Sequence, residues 1–207
     1  MINKVTPYSS SVNTNNSNVV FGSASKLVRA ANKAEIKELV DMFYSTSYKK
    51  PNPKSNFITR FIDNIHAKLS KKVRFSQAQT EEFVTTVVKS PNNEIMGGYS
   101  IYLDKDRSLA CVDFVALSPK IKSTKEKIKT LFEMGKNISE EAKKHNFIEV
   151  AWFDSKSCKT LSKLLKQLNP SNVDEGLFLS KEKSLYVRDL NTRLERVANK
   201  YKVDTRG

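Results

Sequence analysis

Apolar positions along this chain follow two rhythms. Ile36, Leu39, Val40 and Phe43 recur at intervals of three and four, the spacing that lines one face of a helix, and Asn32 stands where its side chain can cap that helix. The run KKPNP ends it. A second helix follows, with Phe57, Ile58, Phe61, Ile62 and Ile65 on one stripe, and the pattern predicts that it runs to about Leu69. Ahead of both helices, KLVRAA reads as a short strand. In the middle of the chain the rhythm changes. EFVTTVVK, IMGGYSIYL and LACVDFVAL are rich in β-branched and aromatic residues and are divided by the turn formers SPNN and DKDRS. Three strands with short connections are expected to pair as an antiparallel meander.

The stretch VALSPKIKSTKEKIKTLFEMG then passes from strand through a proline into a helix. Ser123 and Glu126 form the Ser-x-x-Glu capping box, which makes Ser123 the N-cap. FIEVAWF reads as a buried strand and DSKSCKTLSKLLKQL as a helix opened by Asp154 or Ser155. GLFLSKE and KSLYVRDL are expected to form a terminal hairpin, followed by a basic amphipathic helix from about Asn191 to Tyr201. The polar run SSSVNTNNSN cannot bury enough surface to offset chain entropy. Residues 1–25 are therefore expected to be a disordered Asn/Ser-rich tail, with Val19 to Phe21 able to dock on a domain spanning 26–190. Residues 191–207 are read as a basic C-terminal helix and tail.

Charge and composition narrow the classes. With 207 residues the chain suits one domain plus tails. The absence of an apolar segment near the roughly 20 residues a spanning helix needs predicts a soluble, cytoplasmic protein with no membrane span. Two cysteines and two histidines offer neither a disulfide framework nor a metal-ligand cluster, so no metal is expected. The net charge of +14 predicts attraction to polyanions, whether cofactor phosphates, nucleic acid or an acidic membrane. From Lys49 to Arg74 there are eight basic residues and one acid, Asp63, so the outer face of the second helix is expected to be strongly positive.

At the start of the third helix the first N–H groups lack intrahelical partners and sit at the positive end of the helix dipole. Lys120, Lys122, Lys125 and Lys127 crowd the same turn. These features suit an anion, and equally suit a capped surface helix with a solvated basic face.

The order strand, two helices, three antiparallel strands, helix, strand, helix and further strands resembles the GNAT superfamily of acyl-CoA-dependent acetyltransferases over about residues 26–190. The resemblance implies an α/β (α+β) fold, with a mixed, mostly antiparallel central sheet and helices on both faces. The strands near Leu117 and Phe147 should run parallel, because the helix between them is a crossover, and should splay apart. Leu117-Ser118-Pro119 stands where the family has Val-x-Pro, and IMGGYSIYL resembles the preceding strand. The implied function is acyl-CoA-dependent N-acyl transfer to an amine acceptor, small molecule or protein, with acetyl-CoA as co-substrate. Leu117, Lys122, Ser123, Thr124, Lys125 and Lys127 are the implied cofactor-binding residues. Lys125 and Lys127 occupy the family's glycine positions, so their side chains either replace backbone contacts to phosphate or obstruct them.

Leu165 falls where many members carry a tyrosine that protonates the departing thiolate. Cys158, near a helix start, is a candidate acid, or a small helix residue without chemistry. Asp113 interrupts an apolar strand and by two-residue alternation shares a face with Cys111, Val115 and Leu117, which makes it a candidate general base. A strand-edge aspartate facing solvent or a buried ion pair also accounts for it. Glu82 and Glu149 are lesser candidates. Tyr99 and Tyr102 read as packing residues, His66 as a surface residue, His145 as a helix C-terminal residue and Trp152 as core. A basic rim disfavours polyamines as acceptors. The alternative function is a non-catalytic basic module on the same fold, binding nucleic acid or an acidic protein.

Overall fold

The alternation through 83–117 becomes a hairpin pair, and the elements on either side extend it into one sheet. The computed structural model describes residues 19–21, 25–29, 32–46, 56–147, 149–153, 167–168, 172–174, 184–188 and 190–200. In chain order the elements are β1 (Val19–Phe21), β2 (Ser25–Arg29), α1 (Lys33–Thr46), α2 (Phe57–Gln77), β3 (Phe83–Lys89), β4 (Ile95–Asp104) and β5 (Leu109–Leu117). They continue with α3 (Thr124–Lys144), β6 (Glu149–Phe153), β7 (Asn172–Asp174), β8 (Ser184–Arg188) and α4 (Leu190–Lys200). The sheet order among the described residues is β1-β2-β3-β4-β5-β6-β8-β7. Every neighbouring pair is antiparallel except β5 with β6, which is parallel because α3 crosses between them.

Each face of the sheet has its own core. On one side α3 and α4 cover Val84, Tyr99, Ile101, Val112 and Val150. On the other, α1 sets Ile36, Leu39 and Val40 against Val87, Phe114 and Ala116. Asn32 caps α1 as its sequence suggests, its Oδ1 accepting from the N–H groups of Ala34 and Glu35 at 2.9 and 3.0 Å. Two glycines set the approach of helices. A Cβ on Gly98 would lie 2.3 Å from the Thr86 carbonyl oxygen and 2.9 Å from Leu39 Cδ1, so only glycine lets α1 settle on β4. A Cβ on Gly135 would lie 2.9 Å from Leu194 Cδ1, where α3 meets α4.

Several expectations need correction. α2 continues two turns past Leu69, to Gln77, and its outer face is mostly apolar, with Lys68 and Lys72 among the apolar side chains, rather than strongly positive throughout. Phe57, Ile58, Phe61, Ile62, Ile65, Leu69 and Val73 all face solvent, while Ser70, Lys71 and Arg74 turn inward to partners on α1 and β5. Val19–Phe21, the part of the tail able to dock on the domain, does so by pairing with Ser25–Leu27 as an added edge strand. α4, read as lying beyond the domain, is part of it: Leu190, Leu194, Val197 and Ala198 are buried in the α3-side core. Beyond β6, Asn172–Asp174 also pairs with β8. GLFLSKE, the strand expected to form the terminal hairpin, and the helix expected from Asp154 through Cys158 and Leu165 lie outside the described residues.

Candidate functional site

The β5–α3 junction is tightly built. Ser118 N–H donates to the Met96 carbonyl at 2.9 Å, Ile121 N–H donates to the Ser118 carbonyl at 3.1 Å, and Ile121 is buried beneath the turn. Ser123 caps α3, its Oγ accepting from Glu126 N–H at 3.4 Å and its carbonyl from Lys127 N–H at 3.0 Å. The N–H groups of Thr124 and Lys125 have no hydrogen bond among the described residues, so two backbone donors point out of the helix start. Lys122, Ser123, Thr124 and Lys125 are exposed, and Lys127 and Leu117 are half-buried. Lys120 is held by Glu94 at 3.1 Å. On the α1 side of this turn, a surface cavity of about 580 Å³ is lined by Glu38, Asp41, Ser45, Glu94, Ser118 and Pro119, among others.

Beside this junction β5 and β6 part. Leu109 pairs with Glu149, Ala110 with Val150 and Cys111 with Ala151, and there the pairing stops. β6 continues against β8 through Trp152 and Phe153, while β5 runs on for six residues with no strand on that side among the described residues.

Asp113 sits just past the point of divergence, in a β-bulge. Ser100 pairs with Phe114 and Ile101 with Val112, which leaves Asp113 as the extra residue. The bulge breaks the expected alternation: Val115 and Leu117 belong to the α3-side core, whereas Asp113 turns to the α2 side. There Arg74 Nε donates to both carboxylate oxygens at 2.9 and 3.0 Å and Nη2 reaches Oδ1 at 2.9 Å. Arg74 Nη1 also donates to the Tyr44 hydroxyl at 3.1 Å, and the guanidinium lies 5.0 Å from the centre of the Phe43 ring. Burial alone would lower the Arg74 pKa, but the Asp113 carboxylate outweighs it and holds the pKa above its ordinary value. The buried ion pair, one of the readings open for Asp113, is what the geometry contains. The part that Arg74, Tyr44 and Phe43 play around Asp113 escaped the sequence reading. The only signal was that a lone acid in an apolar strand needs a cation, and eight basic residues lie between Lys49 and Arg74.

By sequence, no family model and no curated protein matches the chain. By structure, the chain is similar to an aminoglycoside 6'-acetyltransferase type Ii (TM-score 0.54, 10% identity, 77% of this chain and 94% of that one). It is also similar to mutant forms of the spermidine/spermine N-acetyltransferase SpeG from Vibrio cholerae (0.52, 10%, 84% and 98%). The PaiA N-acetyltransferase from Thermoplasma acidophilum in complex with coenzyme A is a third similar structure (0.52, 10%, 79% and 98%). The chain has the GNAT fold.

On the GNAT fold the remaining candidates separate into two groups. Leu117, Lys122, Ser123, Thr124, Lys125 and Lys127 converge on the β5–α3 junction beside the divergence of β5 and β6. The others do not join them. Glu82 is exposed before β3, Glu149 opens β6, His66 is exposed on α2, and His145 caps the C-terminus of α3 against the Phe147 ring. Trp152 is core, and so is Tyr99, whose hydroxyl donates to Asn137 Oδ1. Burial, first, and the acids Glu141 and Glu140 push the Tyr99 pKa up, against a hydrogen bond with Thr86 that lowers it. Cys111 is buried, and its thiol is pushed up to about 12 by burial and Asp104, with Arg107 opposing. Both groups are therefore held protonated at neutral pH. Cys158 lies outside the described residues.

Proposed function

We propose that this protein is an acyl-CoA-dependent N-acyltransferase that transfers an acetyl group to an amine acceptor. The observation that carries the reading is the coincidence of two features: β5 and β6 diverge after three pairs, and the helix start beside the divergence presents two open N–H groups among exposed lysines. The residues at the junction fit acetyl-CoA. A diphosphate would take the N–H groups of Thr124 and Lys125 with the ammonium groups of Lys122 and Lys125, a donor set of backbone dipoles and point charges. The edge of β5 beyond Cys111, where no described strand pairs, would accept an extended amide-bearing arm as an added strand would. When bound, the thioester supplies an acyl carbon activated toward an amine. In this reading Asp113 is a positioning group, held by Arg74, that fixes the bulge in β5 and so the angle of the edge, and the acceptor amine loses its proton to water.

The engagement of Asp113 favours one other reading, a non-catalytic basic module binding a polyanion such as nucleic acid. Calorimetry separates the two. The proposal expects acetyl-CoA binding at low salt that weakens as salt screens the lysines, over about 10 Å at 0.1 M ionic strength. Lys122→Glu with Lys125→Glu should abolish it while thermal unfolding stays unchanged, because both side chains are exposed. Absence of acetyl-CoA binding by the wild type at low salt, with salt-dependent binding to RNA or DNA, would establish the module instead.

A further inference from the structure

α2 is mounted the reverse way for a helix of a folded core. Its polar side faces the protein: Ser70 meets the Tyr44 hydroxyl at 2.6 Å, Lys71 meets Asp41 at 2.7 Å, and Arg74 meets Asp113 at 2.9 Å. These contacts from two neighbouring elements fix the rotation of the helix about its axis. Its apolar side therefore points outward, with Phe57 75%, Phe61 56% and Leu69 56% exposed, and Ile58, Ile62 and Ile65 between them. The stripe runs for about 24 Å at 1.5 Å per residue. An apolar surface of this extent marks a binding face.

The chemistry of the occupant follows from the charges on that side. Lys68 is seven residues after Phe61 and Lys72 seven after Ile65, which places both on the apolar side at helical spacing, and both are exposed. The one acid of α2, Asp63, is half-buried away from it. A second copy of this chain would bring lysine against lysine between molecules of net charge +14. A surface that is apolar below and anionic above satisfies both features. We propose that α2 lies in the headgroup plane of an anionic phospholipid membrane, with Phe57, Phe61 and Ile65 at the acyl boundary and Lys68 and Lys72 at the phosphates. The contact is peripheral, since no helix among the described residues is long and apolar enough to cross a membrane.

The test is flotation of the full chain with vesicles of phosphatidylcholine alone and of phosphatidylcholine mixed with phosphatidylglycerol, at low and high salt. The expected result is binding to the mixed vesicles, weaker at high salt. Phe61→Ser with Ile65→Ser should reduce binding about tenfold or more at both salt concentrations, because apolar insertion is lost. Lys68→Glu with Lys72→Glu should reduce it by a similar factor at low salt only. All four positions are exposed, and an unchanged thermal midpoint will confirm that each variant is folded. Lys122→Glu with Lys125→Glu should leave vesicle binding intact. The proposal is overturned if the wild type does not float with anionic vesicles at low salt, or if the Lys122 and Lys125 changes abolish flotation while the α2 changes do not. It is equally overturned if light scattering finds a dimer that Phe61→Ser with Ile65→Ser converts to monomer while vesicle binding persists, since the apolar face would then belong to a second copy.

Discussion

Replacing Arg74 by methionine keeps the aliphatic stem and removes the guanidinium. Three contacts go with it: the donors to both oxygens of Asp113 at 2.9 to 3.0 Å, the hydrogen bond to Tyr44 at 3.1 Å, and the stacking over Phe43. Exposed ion pairs contribute about 0–1 kcal/mol, and breaking a buried one by removing a partner costs about 3–5 kcal/mol. The side chains here are 21% and 16% exposed, nearer the buried limit but within reach of water. A loss of about 2–3 kcal/mol is therefore expected, because the Asp113 carboxylate stays where water only partly solvates it. In a chain of this size that lowers the thermal midpoint by about 5–10 °C. Urea unfolding followed by circular dichroism measures it, with an unchanged denaturant slope showing that the native state is otherwise intact. Asp113→Asn and the double variant complete a cycle whose coupling should be about 1–3 kcal/mol. A loss from Arg74→Met under about 0.5 kcal/mol, with no coupling, would refute the reasoning. The pair would then be a solvated contact, and Asp113 would return as a base.

Three further outcomes follow from the core. Tyr99→Phe should cost about 1–3 kcal/mol, read by urea titration, because the buried Asn137 amide oxygen loses its donor. Gly98→Ala should lower the thermal midpoint by more than about 5 °C, since the added carbon would sit 2.3 Å from the Thr86 carbonyl oxygen and neither strand nor α1 can withdraw cheaply. In a Cys158→Ser background, Cys111 should resist a thiol reagent at pH 8 until urea unfolds the chain. Its folded pKa of about 12 lies above the ordinary 9.0, so the neutral thiol is favoured by folding. That contribution is complete below pH 9 and is lost as pH rises from about 9 to 12. A Cys111 thiol that reacts at once in the native protein would show the site to be open.

What the sequence reveals about this fold is mostly local or topological. The Asn32 and Ser123 caps act within three residues of themselves, and both appear as read. The parallel pairing of β5 with β6 was legible because a helix between two strands leaves one handed route back to the sheet. Rotation of an element was not legible. Periodicity grouped Phe57 with Ile65 on α2, but the choice between core and solvent was made by Asp41, Tyr44 and Asp113, on other elements. The parity of β5 was lost in the same way. Alternation assumes one residue per pleat, and the bulge at Asp113 shows only in the register with β4. α4 illustrates a third limit: Leu190, Leu194, Val197 and Ala198 have core spacing, yet basic neighbours make the segment resemble a surface helix until α3 is seen against it.

The burial of α4 also fixes a schedule. During synthesis the chain has emitted the meander and α3 when Phe132 and Ile138, both fully buried in the finished fold, have nothing on their α4 side. The residues that finish that core end at Ala198, 54 positions after Lys144 (198 − 144), and β8, which pairs along β6, arrives only shortly before. At about 5–20 residues per second, the interval is about 3–10 s. For that time α3 offers an uncovered apolar side to whatever is near the ribosome, so a chaperone that holds nascent chains should engage this one after α3 emerges and release it once α4 follows.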